Sequence, residues 1–388
     1  MAQWRVRRGW TQQILADRLG KSKSWVDKVE RGVRALDRFS VIQHIAEVLR
    51  VDASVLLGVD ARTSVTTVAT EGVDGLRAAL ARYDVLWKGH EDRAALPAGE
   101  EGRRVAHAWL AYEHADYPQL VRMLPDLLCE AQRAHVVVAG AATASRLVQA
   151  YRITTSVLVK LGEPELAWLS GDRAMAAAGA DPLLAAAAAI SLGQALRASG
   201  RGRLALAAMT TAAARIAPPA HEGRQQELAL CGTLLVEASL AAAASEDARR
   251  AAQLIDQAAE FAARVSGGHD HHRTAFGPIT VEMARVLAAI DLDDGGEAIT
   301  WHEKVIARSA WGRLSAEQRA AHLVNVARAY LQVGDLLRAG RALVDADRTA
   351  PAEVRSLPVA RTLIKAVMSR APAPAGVARL AILVGLTR

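Results

Sequence analysis

Residues 12–31, QQILADRLGKSKSWVDKVER, decide how the N-terminal part of this chain folds. Thr11 is placed to cap a helix running to Leu19, with Ile14, Leu15 and Leu19 on its inner face. Ala16 is small enough to let a second helix cross closely, and Gly20 can adopt the positive-φ corner that ends the first one. The spacing predicts a second helix from about Ser22 to Arg31, burying Val26 and Val29. It turns Lys23, Ser24, Asp27, Lys28 and Arg31 outward at i, i+3, i+4 and i+7 offsets. Two short helices joined in this way present an edge that fits the major groove of DNA.

Charge points the same way. The first 50 residues hold eleven Lys and Arg against five Asp and Glu, which leaves +6 of the formal +7 of the whole chain. A basic excess confined to one end is the footprint of a module that displaces counterions from a phosphate backbone, whereas an even spread implies little more than solubility. Lys23 and Lys28 can donate to guanine O6 and N7, and Ser24 can pair with several base edges. Asp27 can accept from a cytosine amino group or orient Lys23 one turn away. The expected half-site is G·C-rich, with Arg31, Arg34 and Arg38 setting affinity and salt dependence through phosphates.

On the TQ..LA..LG and V..VERG blocks, residues 4–57 resemble the DNA-binding domain of lambda-repressor/Cro-like (Xre) regulators. The resemblance implies a five-helix bundle in which Gln12 touches DNA, Lys23, Ser24 and Lys28 read base edges, and Ser22 and Arg31 hold phosphates. It also implies a homodimer on half-sites about 34 Å apart, because one such domain covers too little DNA to select a single site. Trp25 stands where the family has something smaller, and either packs on the sugar-phosphate surface or shields the hydrophobic seam. Ile14 replaces the family's usual Glu, so Thr11 caps by its hydroxyl alone. The first helix is shorter than the family's, and a native start upstream of Met1 is expected.

The remainder reads as all-α. Aromatics are 4% of the chain and apolar residues 51%, with abundant Ala and little alternating β-branched pattern, so helical cores are expected and sheet is not. Residues 58–75, GVDARTSVTTVATEGVDG, lack helical periodicity and are the expected linker between residues 1–57 and residues 76–388. Beyond it a repeat of about 40 residues emerges as helix-breaker-helix units at 99–131, 141–178, 182–217, 223–265, 273–307, 316–348 and 352–388. The clearest is HLVNVARAYLQVGDLLRAGRALVDADRTAP, residues 322–351, which resembles a tetratricopeptide repeat. Asn325, Ala329 and Tyr330 lie on its first helix, Gly334 at the turn, Ala339, Leu343 and Ala346 on its second, and Pro351 at the exit. Such pairs stack into an α-solenoid whose concave wall can hold a peptide, a small molecule or a protein partner.

Asn325, Arg328, Tyr151 and Tyr112 are the expected ligand contacts on that wall, with Arg82, Tyr83, Trp109 and Arg152 beside them. Asn325 is the only asparagine of the chain, and its carboxamide can donate and accept at once, as a peptide unit requires; the alternative is a surface residue bonding water.

Other constellations carry less. His269, Asp270, His271 and His272 follow Ser266-Gly267-Gly268, and neighbouring ligands in a glycine loop converge poorly on one ion, so no metal and no cofactor are expected. No nucleophile has a local base, and neither a P-loop nor G-x-S-x-G occurs, so catalysis is not expected. Trp301, His302 and Trp311 read as core and seam. Cys129 and Cys231 lie 102 positions apart in apolar helical contexts and read as reduced thiols. With no signal peptide and no apolar run of membrane length, a cytoplasmic bacterial protein without membrane contact is expected. The whole implies a ligand-responsive transcriptional regulator. The competing reading is a protein-interaction adaptor or antitoxin-like module that its head tethers to DNA.

Overall fold

A computed structural model describes residues 1–31, 39–49, 51, 72–82, 98–219, 223–266, 270–369 and 375–386. Every regular element among them is helical. The chain divides into two compact units, Met1–Val68 and Ala69–Arg388.

The first unit contains α1 (Ala2–Arg7), α2 (Gln12–Leu19), α3 (Lys23–Glu30) and α4 (Phe39–Leu49). The fifth helix implied by the resemblance falls on residues outside those described. Its core joins Leu15, Ala16, Leu19, Val26, Ile45 and Leu49, with Trp4, Trp10 and Trp25 packed around them. Ile14 is a correction: it is 39% exposed, because Leu15, Ala16 and Leu19 make the buried face of α2 and the helical turn per residue leaves Ile14 on its flank. Val29 is only half-buried.

The second unit opens with a helix over residues 72–80, α5, so the last four residues of the expected linker belong to a packed element. Its Val73, Leu76, Ala79 and Leu80 are buried. Six antiparallel helix pairs follow. They are α6 (Ala98–Glu113) with α7 (Tyr117–Val137), α8 (Ala141–Leu161) with α9 (Pro164–Ala178), and α10 (Pro182–Ala198) with α11 (Gly202–Ile216). Next come α12 (Gln225–Ala243) with α13 (Ala248–Arg264), α14 (Pro278–Asp291) with α15 (Gly295–Ala307), and α16 (Ala316–Gln332) with α17 (Leu336–Thr349). The seventh expected pair, 352–388, is instead three short helices: α18 (Pro351–Arg355), α19 (Pro358–Met368) and α20 (Ala375–Leu383). Pro358 cannot continue α18 and opens α19 as its first residue.

One turn design repeats inside all six pairs. A left-handed residue, Ala115, Gly162, Gly200, Glu246, Asp293 or Gly334, ends the first helix. The N–H of the next residue bonds back five positions, as from Asp116 to Ala111 and from Asp335 to Tyr330, both 2.8 Å. In four pairs an Asp at that place also caps the second helix: Asp116, Asp247, Asp294 and Asp335. Alanine and other small side chains line the seams, so the pairs approach closely and bury a continuous core from Ala186 through Leu234 and Leu254 to Ala288. Within it α12, 19 residues long, is apolar enough to cross a bilayer by length and composition, but most of it is buried in this core.

The pairs curl until the last meet the first. Helix α16 packs on α6, Gly162 lies against Pro358, and Tyr117 of α7 donates to Glu353 of α18.

Candidate functional site

Helix α3 of the first unit is built to be presented. Ser22 caps α3 by accepting from the Trp25 N–H at 3.1 Å, which leaves its own hydroxyl proton to donate outward. Gly20 takes φ +61° and ψ +34°, and the Lys21 N–H reaches the Ala16 carbonyl at 2.9 Å, closing the corner between α2 and α3. Lys23, Ser24 and Lys28 are all exposed on α3, beside a helix N-terminus whose free N–H groups favour phosphate. Arg31 is exposed at the far end and pairs with Asp27 at 3.2 Å, so Asp27 orients Arg31 rather than Lys23. Trp25 is half-buried and packs on the core, shielding the seam. Arg34 and Arg38 lie outside the described residues.

The residue that fixes α3 was not singled out by sequence reasoning. Glu30, with 5% of its side chain exposed, receives Arg5 Nε at 2.8 Å, Arg5 Nη2 at 2.9 Å and Gln12 Nε2 at 3.0 Å. Arg5 also donates to the Trp10 carbonyl at 2.8 Å, so one carboxylate ties α1, the start of α2 and the end of α3 together. Burial works against the Glu30 anion, but the hydrogen bonds from Arg5 and Gln12 outweigh it and hold its pKa below the usual carboxylate value. Gln12 thus spends one amide hydrogen on Glu30. Arg5 is neutralised internally, and Arg18 stacks 4.1 Å above Trp10. The cationic edge is therefore narrower than the +6 count implies. The available signals were Glu30 within the V..VERG block and an arginine at position 5.

In the second unit the four expected ligand contacts part ways. Tyr151 is 5% exposed and accepts from Gln132 Nε2 at 2.9 Å, inside the core rather than on an open wall. Arg328 pairs with Asp291 of the preceding helix pair at 3.0 Å. Asn325 does line a cavity of about 310 Å³, together with Lys160, Glu353, Val324, Leu357 and Pro358. Tyr112 is near the same charged cluster, where burial and then Glu317 push its pKa up. In that cluster Lys160 Nζ lies 2.6 Å from Glu317 and 2.9 and 3.1 Å from the two oxygens of Glu353. Burial disfavours the Lys160 cation, but the two carboxylates overcome it and raise its pKa; burial raises Glu353 against the pull of Lys160.

The wall is thus occupied by its own residues. Trp109 and Arg152, expected to be open, are buried, and Tyr83 lies outside the described residues. His302 Nδ1 and His322 Nε2 face each other at 3.0 Å in the core, and burial lowers both, His322 to about 3. Asp270 accepts from the Ala275 N–H at 2.7 Å, and His269 lies outside the described residues. Among the described residues no three His, Cys, Asp or Glu side chains are grouped to hold a metal. Cys231 is buried and Cys129 half-buried, and neither is in a disulfide.

Residues 1–57 match a family model described as a helix-turn-helix domain. No curated protein and no solved structure matches the chain. Exposed Lys23, Ser24 and Lys28 on a helix that Glu30 holds in place are what that match leads one to look for: the first unit carries a helix-turn-helix DNA-binding domain of the kind found in regulators.

Proposed function

We infer that this is a sequence-specific transcriptional regulator of the lambda-repressor/Cro-like type. It works as a cytoplasmic homodimer whose tetratricopeptide-like body receives a ligand and adjusts DNA binding. The observation carrying the first part is the cationic, capped outer face of α3. What supports the second is a superhelical body whose two ends are joined by a few polar contacts, since an effector can act only by binding one arrangement more tightly than another. In this scheme the body changes the separation of two heads beyond what a duplex tolerates. Lys23, Ser24 and Lys28 read bases, Ser22 and Arg31 hold phosphates, and Gln12 touches DNA from the start of α2.

Selection of bound genomic fragments followed by titration tests it. Lys28→Ala should relax preference at one position per half-site, a loss of roughly 1–3 kcal/mol on the best operator. Arg31→Ala should weaken every duplex alike and lower the salt slope by about one. Equal losses on operator and random DNA for both variants would overturn sequence-specific regulation and favour the tethered adaptor.

A further inference from the structure

Residues 270–277 lie between the fourth and fifth helix pairs. They touch the first helices of three separate pairs. The His272 carbonyl accepts from Arg152 Nη1 of α8 at 2.6 Å, Arg273 pairs with Glu113 of α6 at 3.3 Å, and Phe276 sits on α12. The last contact needs a glycine. A Cβ on Gly232 would be 1.9 Å from the Phe276 ring, so the ring lies directly on the helix backbone.

The segment is strained and its receiver is underused. His272, Arg273 and Ala275 all hold left-handed backbone at φ +55°, +56° and +47°, a conformation that L side chains resist and that persists only where surroundings impose it. Arg152 is 3% exposed, above the Trp109 ring and beside Gln149, whose oxygen it reaches at 3.2 Å. Its buried Nε has no hydrogen-bond partner. Burial pulls the guanidinium down to about 10, with Asp270 acting in the other direction. A buried cation with a spare donor, covered by a strained strap offering one carbonyl and one nearby carboxylate, is an arginine whose best acceptor is absent.

We propose that Arg152, Gln149 and Trp109 form a binding site for an extended peptide carrying a carboxylate, and that residues 270–276 are a tethered strap occupying it. A peptide that gives Arg152 both a main-chain carbonyl and a carboxylate satisfies Nε and lets the strap relax. A tethered segment faces its site at millimolar effective concentration, so the intact chain resists weak ligands. This rests on the reading of the body as a ligand receiver.

The test uses the full chain and a fluorescent copy of residues 270–277, DHHRTAFG, as probe. Phe276→Ala removes the anchor of the strap without crowding α12, and should bind the probe at least tenfold more tightly than the unaltered chain. Adding Arg152→Gln should remove that gain, and so should a probe with Asn in place of its Asp, which requires no further change to the protein. Phe276→Ala binding no tighter than the unaltered chain, or the Asn probe binding as well as the Asp probe, overturns the proposal. Operator affinity measured in the same samples separates the two readings. Probe bound with operator affinity unchanged refutes ligand gating and leaves the strap, whereas no binding of the probe refutes the strap whatever the DNA does.

Discussion

Glu353 is the point at which the end of the repeat stack is fastened to its beginning, and removing it has a calculable cost. Its side chain is 1% exposed; it accepts from the Tyr117 hydroxyl and lies 2.9 Å from Lys160. Glu353→Ala leaves a fully buried phenol without an acceptor, worth about 1–3 kcal/mol. It also takes from Lys160 one of two carboxylates, and breaking a buried pair from one side costs about 3–5 kcal/mol. Two facts reduce the sum: Lys160 keeps Glu317 at 2.6 Å, and burial already disfavours the Glu353 anion. About 3 kcal/mol remains, and at roughly 2 °C per kcal/mol for a body of this size Tm should fall by about 6 °C. Glu353→Gln keeps an acceptor for Tyr117 and removes only charge, so it should cost about 1 kcal/mol, or roughly 2 °C. Thermal melting followed by circular dichroism at pH 7 decides. Equal losses in the two variants would show that charge rather than the hydrogen bond fastens the ends, and an alanine variant melting within about 1 °C of the parent would refute the fastening altogether.

Acid should loosen both units by different routes. Glu30 has a folded pKa below its unfolded value, so its contribution is present above about pH 4.5 and disappears as pH falls through the lower folded value. Glu30→Gln should flatten that limb and weaken operator binding at pH 7, read by titration against tryptophan fluorescence. His322 is held neutral down to about 3, whereas the unfolded chain takes up its proton near 6.5, so stability of the second unit falls as pH drops across that interval. The slope is at most about 1.4 kcal/mol per pH unit for this one group, and urea midpoints for His322→Phe should show a shallower decline. Gly20→Ala places a side chain at φ +61° and should cost about 1 kcal/mol, with operator affinity falling as the corner between α2 and α3 opens.

What could be read in the sequence was what local spacing controls. The Thr11 cap, the Gly20 corner, and the bounds of α8 and α9 follow from neighbours a few residues apart, and the chain obeys them. Punctuation by glycine was a weaker guide: Ala115, Glu246 and Asp293 take the left-handed place that Gly162, Gly200 and Gly334 take elsewhere, so half of the turns bear no distinguishing letter. The helix over residues 72–80 was missed because Gly72 and Gly75 read as loop, although both pack against α7. The exposure of Lys23, Ser24 and Lys28 was legible, since it follows from the periodicity of α3. The expected ligand wall was not legible. Whether Tyr151 or Arg152 faces solvent depends on Gln132 and on His272, and the bonds among Tyr117, Lys160 and Glu353 span 236 and 193 residues and leave no local trace.

An open row of repeats frays from its ends, since a terminal unit touches one neighbour and can unspool without disturbing the rest. Here the two termini of the row share a bond, so neither is free to peel first. Trimming the chain before Pro351 would uncover Tyr117 and Lys160, more than 190 residues upstream. Shortened versions of this body should therefore lose cooperativity throughout rather than merely lack their last helices.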